Sequence, residues 1–139
     1  MRTGHYELIF YRDGSESTLD ELKNACEGPT EIDTALNKAS ARAFLGRMQY
    51  GLLAYDADPV ELQEVASQTG ILELYPLTTS HLARGYSADP EQPEAIVICL
   101  LHLKDISGTA EEIRDRQNVK MQEAKDRFKD GESFRWSMM

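Results

Sequence analysis

The chain has 139 residues, with 24 Asp and Glu against 15 Lys and Arg and a net charge of −9. That length fits one domain with a single core, and 41% apolar with 28% charged residues is ordinary for a globular protein. The acidic balance excludes broad attraction to nucleic acid or anionic membrane unless positive charge gathers in one place. Residues 1–60 hold six Lys/Arg and ten Asp/Glu, residues 61–108 two and seven, and residues 109–139 seven of each. No run rich in Lys and Arg occurs.

Met1 to His5 is followed by only a short apolar patch, so no signal peptide and no membrane anchor is expected, and the chain reads as cytoplasmic. Tyr6 to Tyr11 is aromatic and aliphatic and predicts a strand closed by Asp13-Gly14. Ser17 or Thr18 caps a short helix through Leu19, Leu22, Lys23 and Ala25, ending before Gly28-Pro29. Ile32, Ala35, Leu36, Ala39, Ala43 and Met48 recur at helical spacing and predict a helix over 32–50 with that stripe inward. Lys38, Arg42 and Arg47 occupy its other faces and read as solvated. Gly51 to Tyr55 fits a helix end or a short strand equally well. Asp58-Pro59-Val60-Glu61 has the form of an N-cap, a first-turn proline and a capping-box glutamate, which predicts a helix to Gln68 with Gly70 just beyond it. Ile71 to Tyr75 alternates and reads as a strand stopped by Pro76. His81 to Ala88 reads as a further strand or extended segment, and Asp89 to Pro93 as a turn-rich loop.

Ala95 to Leu103 is the long apolar run of the chain. Nine residues cannot span a bilayer, which needs roughly 20 in a helix. Such a run predicts a strand buried on both faces, with a buried helix segment as the competing reading. Thr109-Ala110-Glu111-Glu112 is a capping box and starts the last helix. Ala110, Ile113, Gln117, Met121, Ala124 and Phe128 form its stripe, and Gly131 is its expected stop. Together these elements predict an α+β fold: a small, mostly antiparallel sheet of three to four strands packed by three to four helices lying on one side. Residues 1–131 read as a single domain and 132–139 as a C-terminal aromatic and Met tail, docked, mobile or touching a partner. Cys26 and Cys99 lack metal-ligand spacing and read as free thiols of a reducing compartment.

No phosphate loop, serine elbow, paired Cys-x-x-Cys or His-Glu-x-x-His occurs, and no cofactor and no metal is expected. His81, His102 and Asp105 make a poor metal set, since nothing fixes the third ligand. His102 ends the apolar strand, and Lys104 stands two residues on, on the same face if the strand continues. His81, Arg84 and Tyr86 form a second local group, in the segment read as a strand or extended chain. Arg84, Tyr86, His102 and Lys104 therefore form the candidate catalytic set for metal-independent RNA cleavage, which needs a base, a cation on the phosphate and an acid for the leaving oxygen. The plainer reading makes Tyr86 and His102 ordinary strand residues with their polar ends in solvent.

The pattern resembles the RelE/HigB superfamily of toxins, especially its phage-derived branch. The resemblance lies in Tyr6-Glu7-Leu8-Ile9-Phe10-Tyr11 before Leu19-Asp20-Glu21-Leu22, and in Ile98-Cys99-Leu100-Leu101-His102 before Glu112-Ile113 and Phe128-Lys129-Asp130. It spans both ends of the chain, about half its length. It implies a toxin-type domain, a ribosome-dependent mRNA interferase or a relative with weakened activity, with Arg84 holding phosphate, Tyr86 and His102 as base or acid, and Lys104 stabilising charge. An antitoxin would be the protein partner, and RNA and the ribosome would be targets only if the interferase reading holds. Two departures matter. Tyr75 stands where the family's strand carries an Arg, and the loop after His102 holds Lys104 alone where the family has several lysines. The alternative is an acidic, non-catalytic protein-binding module, an inhibitor or accessory subunit docking on a basic partner. Homo-oligomerisation remains open, and no membrane partner is expected.

Overall fold

The computed structural model describes residues 5–54, 60–90 and 94–138. In chain order its elements are β1 (Glu7–Phe10), β2 (Arg12–Asp13), α1 (Thr18–Cys26), α2 (Glu31–Gln49), β3 (Leu62–Glu64), β4 (Leu72–Leu74), β5 (Ala83–Ala88), β6 (Ala95–Leu103), α3 (Ala110–Asp130) and β7 (Ser137–Met138). A single 3-10 turn, Gly131–Phe134, joins α3 to β7. The fold is α+β. The main sheet runs β1-β6-β5-β4-β3, with β1 parallel to β6 and the other neighbours antiparallel.

β6 is the spine of the sheet. Its residues 95–101 are all buried, because both faces are covered. Phe44, Leu45 and Met48 of α2 pack with Ile96, Ile98 and Leu101 on one face. Ala124 of α3 packs with Val97, Cys99 and Tyr86 on the other, flanked by Met121 and Phe128. The helices thus lie on both sides of the sheet rather than on one. A strand apolar at every position requires this, since one bare face would leave half of it in water.

The helix boundaries follow their local chemistry. Ser17 caps α1, Thr30 caps α2, and Thr109 with Glu112 closes the expected capping box on α3. Beyond α2, Gly51 adopts φ +71°. Its N–H bonds Met48 O at 3.0 Å and the Leu52 N–H bonds Arg47 O at 2.8 Å. That is the Schellman end that a left-handed glycine permits, and residues 51–54 leave it as irregular chain. Tyr55 lies outside the described residues.

Two expectations about α2 and the segment after it are corrected. First, α2 buries Asn37, Ala41, Phe44, Leu45 and Met48, while Ile32 is 73% and Leu36 53% exposed. Only the C-terminal half of α2 lies on the sheet. Its N-terminal half is tied by the Asn37 side chain, which donates to Cys26 O at 2.9 Å and accepts from Thr79 N at 3.2 Å. Second, the described part of the segment read as a helix to Gln68 contains β3, the edge strand paired with β4; Asp58 and Pro59 lie outside the described residues. The described part of the expected capping box is Glu61. Its carboxylate takes the Arg47 guanidinium at 2.7 Å and the Ala54 N–H at 3.2 Å. Gly70 belongs to the β3–β4 turn, and β3 raises the strand count of the main sheet to five. Gly131 is the expected stop of α3, whose C-cap it forms, and a 3-10 turn continues from it. A Cβ at this position would stand 2.4 Å from Trp136 Cδ1, so the glycine is needed for close approach.

The last residues pack on the body. Trp136 is 5% exposed, stacks on Phe128 at 5.4 Å and donates its Nε1 proton to Phe128 O at 2.7 Å. β7 then pairs parallel with β2. Among the described residues, no helix is long and apolar enough to cross a membrane.

Candidate functional site

The site grows from an irregularity in the β5–β6 ladder. Tyr86 pairs with Leu100 and Ser87 pairs with Ile98, so Cys99 is an extra residue with no opposite number. Side chains alternate across a strand, and one extra residue reverses the alternation beyond it. Val97, Cys99 and Leu100 belong to the α3-side core, and Ile98 and Leu101 to the α2-side core. His102 therefore emerges on the α3 side beside Tyr86. Without the bulge it would share the α2 side with Ile96 and Ile98.

On that face Arg84 pairs directly opposite His102. The Tyr86 and His102 rings stack at 5.6 Å with 18° between their planes. The Tyr86 hydroxyl lies 3.4 Å from His102 Nε2 and accepts from Gln117 Nε2 at 3.4 Å. Gln117, on α3, also donates to Glu73 Oε2 at 3.1 Å, and Glu73 pairs with Tyr86 across β4 and β5. The Arg84 guanidinium lies 4.1 Å over the Tyr75 ring and donates to the carbonyl oxygens of His81 and Ala83. A cavity of 290 Å³ opens next to His102, walled by Lys104, Ile113, Arg116 and Lys120.

Burial sets the protonation of the pair. It pushes the Tyr86 phenol up to about 12. It pushes His102 down to about 4, helped by the positive charges of Lys120, Arg84 and Lys104. At neutral pH the site therefore holds a neutral imidazole and a protonated phenol. Proton transfer is most effective when the pKa lies near the working pH. His102 is a weak base here, and its acid form is scarce. Tyr86 is 0% exposed, so its hydroxyl reaches no ligand while α3 stays in place.

The bulge has its own clamp. β1 covers β6 only as far as Ile98. Beyond it, Glu21 of α1 and Arg127 of α3 take over the backbone groups. Glu21 Oε1 accepts the Leu101 N–H at 3.1 Å. Arg127 donates to Cys99 O at 3.0 Å, to both Glu21 oxygens at 2.9 and 2.7 Å, and to Glu16 Oε2 at 2.9 Å. Buried backbone groups need partners, and this ion pair supplies them where the neighbouring strand does not.

All four sequence-derived candidates thus lie in one region. Tyr86 and His102 touch, Arg84 is their ladder neighbour, and Lys104 lines the adjoining cavity. The plainer reading of Tyr86 and His102 is amended, since the Tyr86 hydroxyl ends among side chains and not in solvent. His81 is exposed in the turn before β5 and does not join, and among the described residues no His, Cys, Asp and Glu group could hold a metal ion. Sequence reasoning missed Glu73, Gln117, Arg116, Lys120 and the Arg127–Glu21 clamp. Gln117 left a signal, because a polar residue within an apolar helix stripe implies a buried polar contact. Arg127 left none, since it stands outside that stripe among ordinary helix charges. No family model matches the chain, and no match was found among curated proteins or solved structures.

Proposed function

We propose that this chain is a RelE/HigB-like toxin-type domain, a relative of the ribosome-dependent mRNA interferases whose RNA-cleaving activity is weakened. The observation that carries this reading is the Tyr86–His102 pair. Two groups suited to base and acid roles meet on neighbouring strands, opposite Arg84, yet burial holds both far from the protonation that efficient transfer needs. The order strand, two helices, antiparallel strands, histidine strand and helix supports the resemblance at the level of elements. Lys120 of α3 joins Lys104 along the cavity beside His102, while Arg116 in the same lining is paired with Asp105 at 3.4 Å. Phosphate contacts depend on nearby cations, and against the −9 net charge Lys104 and Lys120 are the two lining cations that support such contacts.

Tyr75 supports weakening. It stands where the resemblance expects an Arg, and it carries the Arg84 guanidinium on its own ring. A guanidinium held this way must leave the ring and two carbonyls before it can meet a phosphate. The test is expression with growth and message integrity followed, wild type against Arg84→Ala. Slow, Arg84-dependent message loss is the expected result. Intact message and normal growth at high expression would remove the interferase reading.

The second reading, an acidic non-catalytic module docking on a basic partner, draws on one specific observation. Ile32 and Leu36 are exposed on the outer face of α2 beside Glu31 and Asp33. An acidic rim around exposed apolar side chains is a common form of protein interface. Capture of a basic partner in low salt, lost in Ile32→Asp/Leu36→Asp, would favour it. Retention of the same partner by the double variant would count against it.

A further inference from the structure

A second cavity lies on the α2 side of the sheet, away from His102. It is a groove of 740 Å³ between β1, α1 and α2. Leu8 and Phe10 stand two apart on β1 and share one face, and with Leu22 of α1 they are only partly buried against the core. Leu19, 53% exposed, continues the apolar wall. Gly46 of α2 keeps the groove open. Glycine is unfavourable inside a helix, and a Cβ at this position would meet nothing within 4 Å. Close packing therefore does not call for a glycine here.

The charged lining is sorted by sign. Lys38 and Arg42 are four apart on one face of α2, and Lys23 lines the groove from α1. All three are exposed, and among the described residues none has an ion-pair or hydrogen-bond partner. The charge of Lys38 acts on the Cys26 thiol, which places it at the end of α1. Glu7 is the one carboxylate among the described lining residues. It stands at the other end, because the Tyr6 N–H bonds Gln49 O at 2.8 Å, and Gln49 is about 16 Å from Lys38 along the α2 axis. Three unpaired cations at one end of an apolar groove, in a chain of net charge −9, complement an anion with an apolar body. We infer that this groove binds a single fatty-acid-like amphiphile: the carboxylate at Lys38, Arg42 and Lys23, within reach of water, and the alkyl chain along Leu8 and Phe10 past Gly46. The site is independent of the Tyr86–His102 pair and of the RNA-cleavage reading. No bond is made or broken.

The test is nuclear magnetic resonance of the intact chain titrated with decanoate below its micelle-forming concentration, with decyltrimethylammonium as the counterpart of opposite charge. Decanoate should give saturable shifts at Leu8, Phe10, Leu22 and Gly46. In Lys38→Glu/Arg42→Glu, two exposed positions, its affinity should fall by about 10-fold, the worth of two surface ion pairs. In Gly46→Leu, which puts a side chain into the groove, the shifts should vanish. The melting temperature of Gly46→Leu without ligand should equal or exceed that of the parent, because leucine is the better helix former; the lost binding is then not lost folding. No saturable shift with decanoate, equal binding of decyltrimethylammonium, or unchanged decanoate binding in either variant would overturn the inference.

Discussion

At the scale of single residues, Tyr86 and His102 separate packing from chemistry. The Tyr86 hydroxyl contacts are long, 3.4 Å to both His102 and Gln117, whereas its ring is fully buried. Tyr86→Phe should therefore cost less than about 1 kcal/mol, and Tyr86→Ala about 3–5 kcal/mol, as read from urea midpoints. Equal costs would mean that the hydroxyl, not the ring, holds the site. His102 makes a pH prediction. Its folded pKa of about 4 lies below its ordinary 6.5, so the unfolded chain binds the proton first as pH falls. Stability from this group is intact above about pH 6.5 and is lost as pH drops toward 4, by an amount of order 2–3 kcal/mol. Denaturation at pH 7 and pH 4.5 should show the loss, and His102→Gln should flatten that part of the profile. A His102 ring resonance titrating near 6.5 would contradict the burial.

At the scale of elements, the bulge in β6 is the feature on which the site depends, and Arg127 holds it. Removing one member of a buried pair leaves the other uncompensated, so Arg127→Met should destabilise by roughly 3–5 kcal/mol. Arg127→Lys should recover little, because one ammonium cannot replace a guanidinium that serves three partners. The His102 ring resonance should shift in both variants if the clamp fixes the face on which His102 emerges; an unchanged resonance in a folded variant would separate clamp from site. Thr109→Ala should cost only about 1 kcal/mol in thermal unfolding, the ordinary worth of an N-cap. These contrasts mirror what could be read from the sequence. Caps and the continuous apolar run are local signals, and α1, α3 and β6 were legible from them. The inward face of α2 was not, because Asn37 and not an apolar residue anchors its first half. Nor was β3, because Glu61 just before it carries a helix signal but is held by Arg47 from a distant part of the chain.

At the scale of the whole molecule, a net charge of −9 coexists with three cations, Arg84, Lys104 and Lys120, whose charge acts on His102. Arg84, Tyr86, His102 and Lys104 could be grouped from their chemistry alone, and the pairing of β5 with β6 is what places them in one region. The contribution of α3 was not legible, since only packing brings Gln117 and Lys120 over the sheet. The same packing seals Tyr86 and lowers the pKa of His102, so the geometry that assembles the set also restrains it. The measurement that bears most directly on this account is cleavage of a defined message on translating ribosomes by the purified chain, with Arg84→Ala and His102→Ala alongside. The account predicts slow cleavage above background that both substitutions abolish. No cleavage above background, or cleavage that survives both substitutions, would contradict it.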